Sequence, residues 1–301
     1  MKIYNLGSLN VDYVYQVDHF VGPGETLSSS SMQVFPGGKG LNQSIALANA
    51  GMRPIHGAVS GSSGDFLIQK MQRSGVVVDR IKAIEAPSGH AIIQVDTNGQ
   101  NCILLYSGTN HMLDDEYIDG FLADAELGDI LVLQNEVNHL CEIMLKAQEK
   151  GMQIAFNPSP YDASIKQLPL GSVTWWFCNE IEGAALFGGE KEDIISNFLV
   201  KYPNSNLILT LGESGSVFAN TKEIVEQGIY TVNVVDTTAA GDTFSGYFIA
   251  GIASGETVKD SMDMAAKAAA ITVSRHGASE SIPMLEEVKA FGRKIKGDVH
   301  D

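Results

Sequence analysis

The 301-residue chain is poor in three things, and each shortage excludes something. Its three cysteines, Cys102, Cys141 and Cys178, are far apart and form no C-x-x-C pair, so neither a disulfide framework nor a thiolate metal site is indicated. It has no basic stretch: 20 Lys and Arg stand against 36 Asp and Glu, a net charge of −16. Surfaces that follow a phosphate backbone need clustered positive charge, so nucleic acid is not an expected partner. Long apolar runs are also missing. None approaches the roughly 18 residues of a membrane span, and "MKIYNLGSLN" runs directly into a strand pattern without the apolar core of a signal peptide. The expectation is a soluble, cytoplasmic protein with no membrane partner and with reduced thiols. The seven histidines show no ligand spacing and none is assigned to catalysis or zinc.

What is present is alternation. A hydrophobic content of 44% and this length fit one large domain, or a main domain with a smaller appendage. Strand-like runs such as "DILVLQN", "MQIAFNPSP", "VTWWFCNE" and "NLILTLGESG" are interleaved with helical patterns, for example Leu140, Ile143, Met144 and Ala147 closed by Gly151. That order predicts an α/β fold with a parallel sheet covered by helices, strand following helix from residue 108 onward. Two stretches depart from it. Residues 11–34 alternate apolar and polar around Gly22-Pro23-Gly24, and residues 89–106 do so around Asn98-Gly99. Both predict antiparallel pairs, which would join as a small lid sheet. The division expected is a core of 1–10, 35–87 and 108–301 with a lid of 11–34 and 88–107.

Several constellations carry possible chemistry. "FPGGKGLNQ" places Gly37, Gly38, Lys39 and Gly40 before a helix with Ala46, Ala48 and Ala50. It is neither a Walker loop nor a dinucleotide fingerprint, because Lys39 precedes Gly40 and the third glycine is missing. It reads equally as a tight turn or as a cradle from which Lys39 and Asn42 reach a small polar ligand. Asn10 and Asp12 in "GSLNVD", and Glu136 in "LVLQNE", follow strands, where open α/β sheets bind ligands; they suit vicinal hydroxyls. Asn179 and Glu182 lie three apart at a strand-to-helix junction. That spacing serves a capping box or a hydrated divalent cation equally well.

The stretch "DTTAAGDTFSGYF" carries two acids, Asp236 and Asp242. Phe244, Tyr247, Phe248 and Gly251 follow helical spacing, so a helix begins near Gly241 with free amides facing the preceding loop. Those amides suit an anion. Asp242 beside them is either a cap or a base facing a hydroxyl, and spacing alone leaves both open.

Taken together, "GGKGLNQ", "DTTAAGDTF", "GSLNVD", "PGET", "QNE", the Asn179 and Glu182 pair and "TLGESG" resemble, in the same order, the PfkB or ribokinase family of carbohydrate kinases. The likeness spans nearly the whole chain. It implies a Rossmann-like three-layer α/β/α domain with a β-sheet lid, and transfer of phosphate from ATP to the primary hydroxyl of a small sugar, D-ribose first among them. On that resemblance Asn10, Asp12, Gly38, Lys39, Asn42 and Glu136 hold the sugar, and Asp242 activates its hydroxyl. The amides of Ala239, Ala240 and Gly241 form an anion hole. Asn179 and Glu182 correspond to the magnesium and phosphate pair, and the nucleotide turn corresponds to Thr210, Leu211, Gly212, Glu213, Ser214 and Gly215. A potassium site is implied at Asp236, Thr238, Thr272, Arg275, Gly277 and Ser281. Leu41 and Ser245 depart from the usual alanine and asparagine, which bears on the choice of sugar. Lid sheets in this family often pair between subunits, and the apolar alternation at 11–34 and 89–106 fits a homodimer through the lid or a lid closing over its own site equally well.

Overall fold

The structure, a computed structural model, describes residues 1–292; the end of the expected core, 293–301, lies outside them. The first strand, β1 (Ile3–Leu6), is buried at every position, as a central strand covered on both faces must be. The hairpin β2 (Asn10–Gln16) and β3 (Ser31–Gly37) follows, then α1 (Lys39–Asn49), β4 (Ile55–Ser60), α2 (Asp65–Arg73) and β5 (Val77–Ala83). A second hairpin, β6 (Gly89–Val95) and β7 (Asn101–Tyr106), turns through Gly99 at φ 77°. After it come α3 (Asp115–Leu122), β8 (Ile130–Gln134), α4 (Leu140–Glu149), β9 (Gln153–Asn157), β10 (Val173–Asn179), α5 (Glu180–Phe187) and α6 (Lys191–Lys201). The chain continues with β11 (Asn206–Thr210), β12 (Ser216–Ala219), β13 (Ile224–Gln227), α7 (Ala240–Ala253), α8 (Val258–Val273) and α9 (Leu285–Ala290).

Nine strands form one sheet in the order β13-β12-β11-β10-β9-β8-β1-β4-β5. Helices cover both faces. Ile118, Ile143, Met144, Ile194 and Phe198 pack on one side, and Leu41, Ile45, Leu67, Tyr247, Met262 and Val288 on the other, which makes the expected three layers. The strand-helix order expected from residue 108 holds only in part: β9 and β10 are joined without an α-helix, α5 and α6 follow one another, and the alternation ends at β11. β12 and β13 follow without helices and pair antiparallel, because the turn at Gly212–Ser214 is far too short for the crossover that a parallel partner requires.

The two hairpins join as one four-stranded sheet, β3-β2-β6-β7, through parallel pairing of β2 and β6 with Asp12 opposite Ala91 and Tyr13 opposite Ile92. β2 begins at Asn10 and β3 runs to Gly37, so both strands lead straight into the main body. On the main body α1 and α7 lie against each other at unusually close range. A β-carbon on Gly246 would sit 2.5 Å from that of Ala46, so only glycine permits this approach. No helix among the described residues is long and apolar enough to cross a membrane.

Candidate active site

The carboxyl ends of β9, β10 and β11 meet the N-termini of α1 and α7 around a pocket of about 240 Å³. Lys39, Asn179, Glu182, Thr210, Ala239, Ala240, Gly241 and Asp242 line it, with Asn157, Ser159, Thr237 and Ser245 between them. The sequence therefore named eight residues of one wall that lie up to two hundred positions apart, and the fold brings them together.

At the start of α7, Ala239 takes the left-handed conformation, φ 60°, a state that costs an alanine on the order of 1 kcal/mol. This turn aims the helix start at the pocket. The Thr243 amide closes the first helical bond onto the Ala239 carbonyl at 2.8 Å. The Ala240 amide reaches the Thr237 carbonyl only at 3.3 Å, while the Gly241 amide has no acceptor among the described residues. A β-carbon added at Gly241 would touch nothing within 4 Å. Packing does not require that glycine; its open face belongs to the pocket.

Asp242 is buried, 6% exposed, yet bonded on both oxygens. Asn42 Nδ2 donates to Oδ2 at 3.1 Å and Gln43 Nε2 to Oδ1 at 3.0 Å. Each oxygen keeps a further lone pair for a substrate hydroxyl. The capping alternative for Asp242 is not realised, since α7 has no side-chain cap bond.

Glu136 caps α1 from across the sheet. Its Oε2 accepts from the Ser8 hydroxyl and from the Lys39 amide, the latter at 3.0 Å, placing negative charge at the positive helix end. Burial pushes its carboxyl up, and Lys39, Ser8 and the Lys39 amide offset part of that rise. For Lys39, burial works to lower the ammonium, but Asp242, Glu136 and Glu182 outweigh it and the net shift is upward. The lysine is thus a firmly charged group among three carboxylates. Gly38, at φ 98°, precedes it at the cap position.

Asp12 stands over this region from β2. A β-carbon at Gly37 would fall 2.0 Å from its carboxylate, so that glycine makes room for Asp12. Burial, then Glu136 and Glu280, push Asp12 up to about 7. Asn10 is buried and its Oδ1 accepts from Asn110 Nδ2 at 2.7 Å, which leaves its own amide hydrogens for a ligand. Neither Asn10, Asp12, Gly38, Asn42 nor Glu136 lines the pocket wall itself; they lie behind Lys39 and Asp242, toward the small sheet.

For Asn179 and Glu182 the capping box is realised in full: Asn179 Oδ1 accepts from the Glu182 amide at 2.9 Å, and Glu182 Oε2 accepts from the Asn179 amide at 3.0 Å. One Glu182 oxygen is left for the pocket. Among the described residues no group of three or more His, Cys, Asp or Glu is arranged to hold a metal; the free Glu182 carboxylate oxygen is the kind of ligand that magnesium takes from protein beside water and phosphate oxygen. The turn Leu211, Gly212, Glu213, Ser214 and Gly215 closes with the Leu211 amide on the Gly215 carbonyl at 2.8 Å, and of this group only Thr210 reaches the pocket wall.

Asp236 is tied to its neighbours and to a distant loop. Its Oδ1 accepts from the Thr238 amide at 2.9 Å and hydroxyl at 2.7 Å, and its Oδ2 from the Gly277 amide at 3.0 Å. Burial acts to raise its pKa, but these bonds and His276 prevail and lower it. Thr272 lies in the last turn of α8, and Arg275, Gly277 and Ser281 follow on the α8-to-α9 connection, which meets the Asp236 segment at the Gly277 amide. The Arg275 guanidinium itself points elsewhere, to Glu287.

Gln43, Asn110, Asn157, Ser159 and Thr237 were not singled out from the sequence. Gln43 has a signal, a polar residue on the helix face it shares with the buried Ala46, Leu47 and Ala50; the others sit in short turns, loops or at strand ends without periodic cue.

Residues 2–285 match the model of the pfkB family carbohydrate kinases. The chain belongs to that family. It is 34% identical over 299 residues to the ribokinase of Staphylococcus aureus, covering 95% of this chain and 98% of that one. Its fold is similar to that of the Cryptococcus neoformans ribokinase in complex with ADP, TM-score 0.86 at 31% identity, over 96% of this chain and 98% of that one. It is similar as well to the Arabidopsis thaliana ribokinase complexed with ribose and ATP, TM-score 0.87 at 25% identity, over 96% and 97% of the two chains.

Proposed function

We propose that the protein transfers the γ-phosphoryl group of ATP to the primary hydroxyl of D-ribose, giving D-ribose 5-phosphate and ADP. The observation that carries this reading is Asp242 beside the open Gly241 amide at the helix start, a proton acceptor and an anion site on consecutive residues. The similarity to ribokinases along the whole chain supports ribose as the acceptor.

Asn10, Asp12, Asn42 and Glu136 hold the sugar hydroxyls, with Gly38 letting the ring approach the backbone. The primary hydroxyl lies against Asp242. Its oxygen forms the new bond to the γ-phosphorus as the bond to the ADP oxygen breaks, and its proton passes to Asp242. In a loose transition state that proton moves late. The Gly241 amide, with those of Ala239 and Ala240, receives the charge on the moving group, and Lys39 supplies a cation between sugar and phosphate. Thr210 through Gly215 lies along the nucleotide. Asn179 and Glu182 are the residues that would hold magnesium, which when bound neutralises charge on the phosphates. Asp236, Thr238, Thr272, Arg275, Gly277 and Ser281 would hold potassium, mostly through backbone oxygen. The bond from Gly277 to Asp236 supports that grouping.

The segments 11–34 and 88–107 act as a lid on the core of 1–10, 35–87 and 108–301, and two copies pair through it. Alternation on β2 places Asp12 toward the sugar, so the opposite face carries Val34, Tyr13, Ile92, Leu104 and Tyr106. Leu104 is 67% exposed, and an apolar sheet face of this kind needs a partner. The protein works in the cytoplasm.

A coupled assay of ADP release with ribose, magnesium and potassium tests the reading. Asp242→Asn is expected to lower kcat by roughly 10²–10⁴-fold, the range of a lost general base, with ribose still bound. Sodium in place of potassium is expected to reduce turnover. An assay showing no ribose-dependent ADP release would overturn the substrate assignment.

A further inference from the structure

Asp242 meets α1 at the end of a buried chain of amides. Gln43 Nε2 donates to Asp242 Oδ1 at 3.0 Å, and Gln43 Oε1 accepts from Gln134 Nε2 at 2.8 Å. The same Gln134 nitrogen donates to Asn5 Oδ1 at 3.1 Å. Asn5 Nδ2 then donates to the Gly40 carbonyl and to Ser44 Oγ, both at 2.9 Å. Asn5 and Gln134 are wholly buried and Gln43 is 1% exposed, and none of the three lines the pocket.

The direction of the chain follows from one group that cannot turn over. The Gly40 carbonyl only accepts, so the Asn5 atom facing it must be nitrogen. Asn5 oxygen therefore faces Gln134, which must answer with its nitrogen. The second hydrogen on that nitrogen meets Gln43, which must present oxygen there. Gln43 is left with its nitrogen toward Asp242 and has no alternative orientation.

Three primary amides inside an α/β core are an expensive way to join α1 to β1 and β8. Apolar side chains of similar volume would avoid the desolvation of every one of these groups. What apolar side chains could not supply is a donor of fixed orientation at one carboxylate oxygen.

We propose that Gln43 and Gln134 are positioning residues for phosphoryl transfer: the amide chain anchored on the Gly40 carbonyl locks the Gln43 N–H toward Asp242 and holds that carboxylate in the one orientation that faces the acceptor hydroxyl. This rests on the reading of Asp242 as the base. Gln43 acts directly on Asp242, and Gln134 acts through Gln43 without touching either Asp242 or the pocket. With Gln134 replaced by an apolar residue, Gln43 loses the bond that holds its oxygen, and its N–H is no longer fixed in one place against Asp242.

The test compares Gln43→Met, Gln134→Met and the control Asn138→Leu in the full chain. Asn138 makes two bonds to the Leu113 backbone, at 3.1 and 3.0 Å, away from the pocket. Expected are a kcat lower by roughly tenfold to a hundredfold in Q43M, the scale of a misplaced reacting group, and by about tenfold in Q134M. The Kd values for ribose and ADP, measured by calorimetry, are expected to stay within about twofold, and N138L to lose thermal stability at wild-type kcat, because kcat alone reports the orientation made in the transition state. Where Q43M does not fold, Gln43→Asn, one methylene too short to reach Asp242, replaces it with the same expectation. The proposal is overturned if both relay variants keep wild-type kcat, if N138L loses kcat equally, or if sugar affinity falls in step with kcat. An active Asp242→Asn would instead overturn the catalytic reading, whereas an inactive D242N beside a fully active Q43M overturns the positioning role alone.

Discussion

Asp12 is the residue whose chemistry depends most on its neighbours. Burial is the largest cause of its rise to about 7, and Glu136 and Glu280 add to it. The folded chain thus holds this proton more tightly than the unfolded chain, whose value is near 3.8. The stability this contributes is complete below about pH 4 and is lost as the pH climbs through about 7. Asp12→Asn is therefore expected to raise the melting temperature of the ligand-free protein at pH 8, by about 2 °C, with little gain at pH 5; scanning calorimetry at both values checks it. Binding runs the other way, because ionised Asp12 accepts hydroxyls that the protonated form cannot. The KM for ribose is expected to fall between pH 6 and pH 8, and D12N to lose that dependence. Asn10 and Asp12 were legible as polar positions just after the first strand, where open α/β sheets bind ligands. The titration of Asp12 was not, since Glu280 comes from the opposite end of the chain and only packing brings it near.

At the scale of elements, α7 carries two glycines with opposite duties. Gly246 sits where an added methyl would meet Ala46 of α1 at 2.5 Å, one turn beyond the contact between Asp242 and the Asn42 and Gln43 amides. Gly246→Ala is expected to force the helices apart, destabilise the fold by about 1–3 kcal/mol and lower kcat together with it. Gly241→Ala places its methyl in the empty pocket instead. It is expected to leave the melting temperature unchanged or slightly higher, since alanine favours a helix by up to about 1 kcal/mol over glycine, while kcat falls about a hundredfold because the phosphoryl site is filled. Paired melting curves and turnover numbers distinguish the two. The helix start was legible from Phe244, Tyr247 and Phe248. Which glycine faces a neighbour and which faces space was not, because helical periodicity does not say what lies opposite. The Asn179 and Glu182 pair makes the same point: its spacing suited a cap and a cation site alike, and the structure realises the cap while leaving one carboxylate oxygen over the pocket.

For the whole molecule, the exposed small sheet is the feature that asks for a partner. Every residue of β7 is exposed and most are apolar, an edge strand that would otherwise invite unspecific pairing. Leu104→Glu is expected to convert a dimer into a monomer in sedimentation velocity, and an unchanged wild-type monomer would refute the pairing. The sequence by itself determined the α/β class, the two hairpins and the motifs of a pfkB carbohydrate kinase, because these are written in local periodicity, turn residues and glycine spacing. It placed Asp242 at a helix start but did not decide between cap and base. Tertiary structure excluded the cap, by setting α1 against α7 so that Asn42 and Gln43 take both carboxylate oxygens. It also set Glu136 on the start of α1, bound Asp236 to Gly277, and ended the helical alternation at β11. The physical reason is common to the first three: each is a contact between groups far apart in the chain, and neither the period of a helix nor that of a strand encodes what a side chain meets across a core.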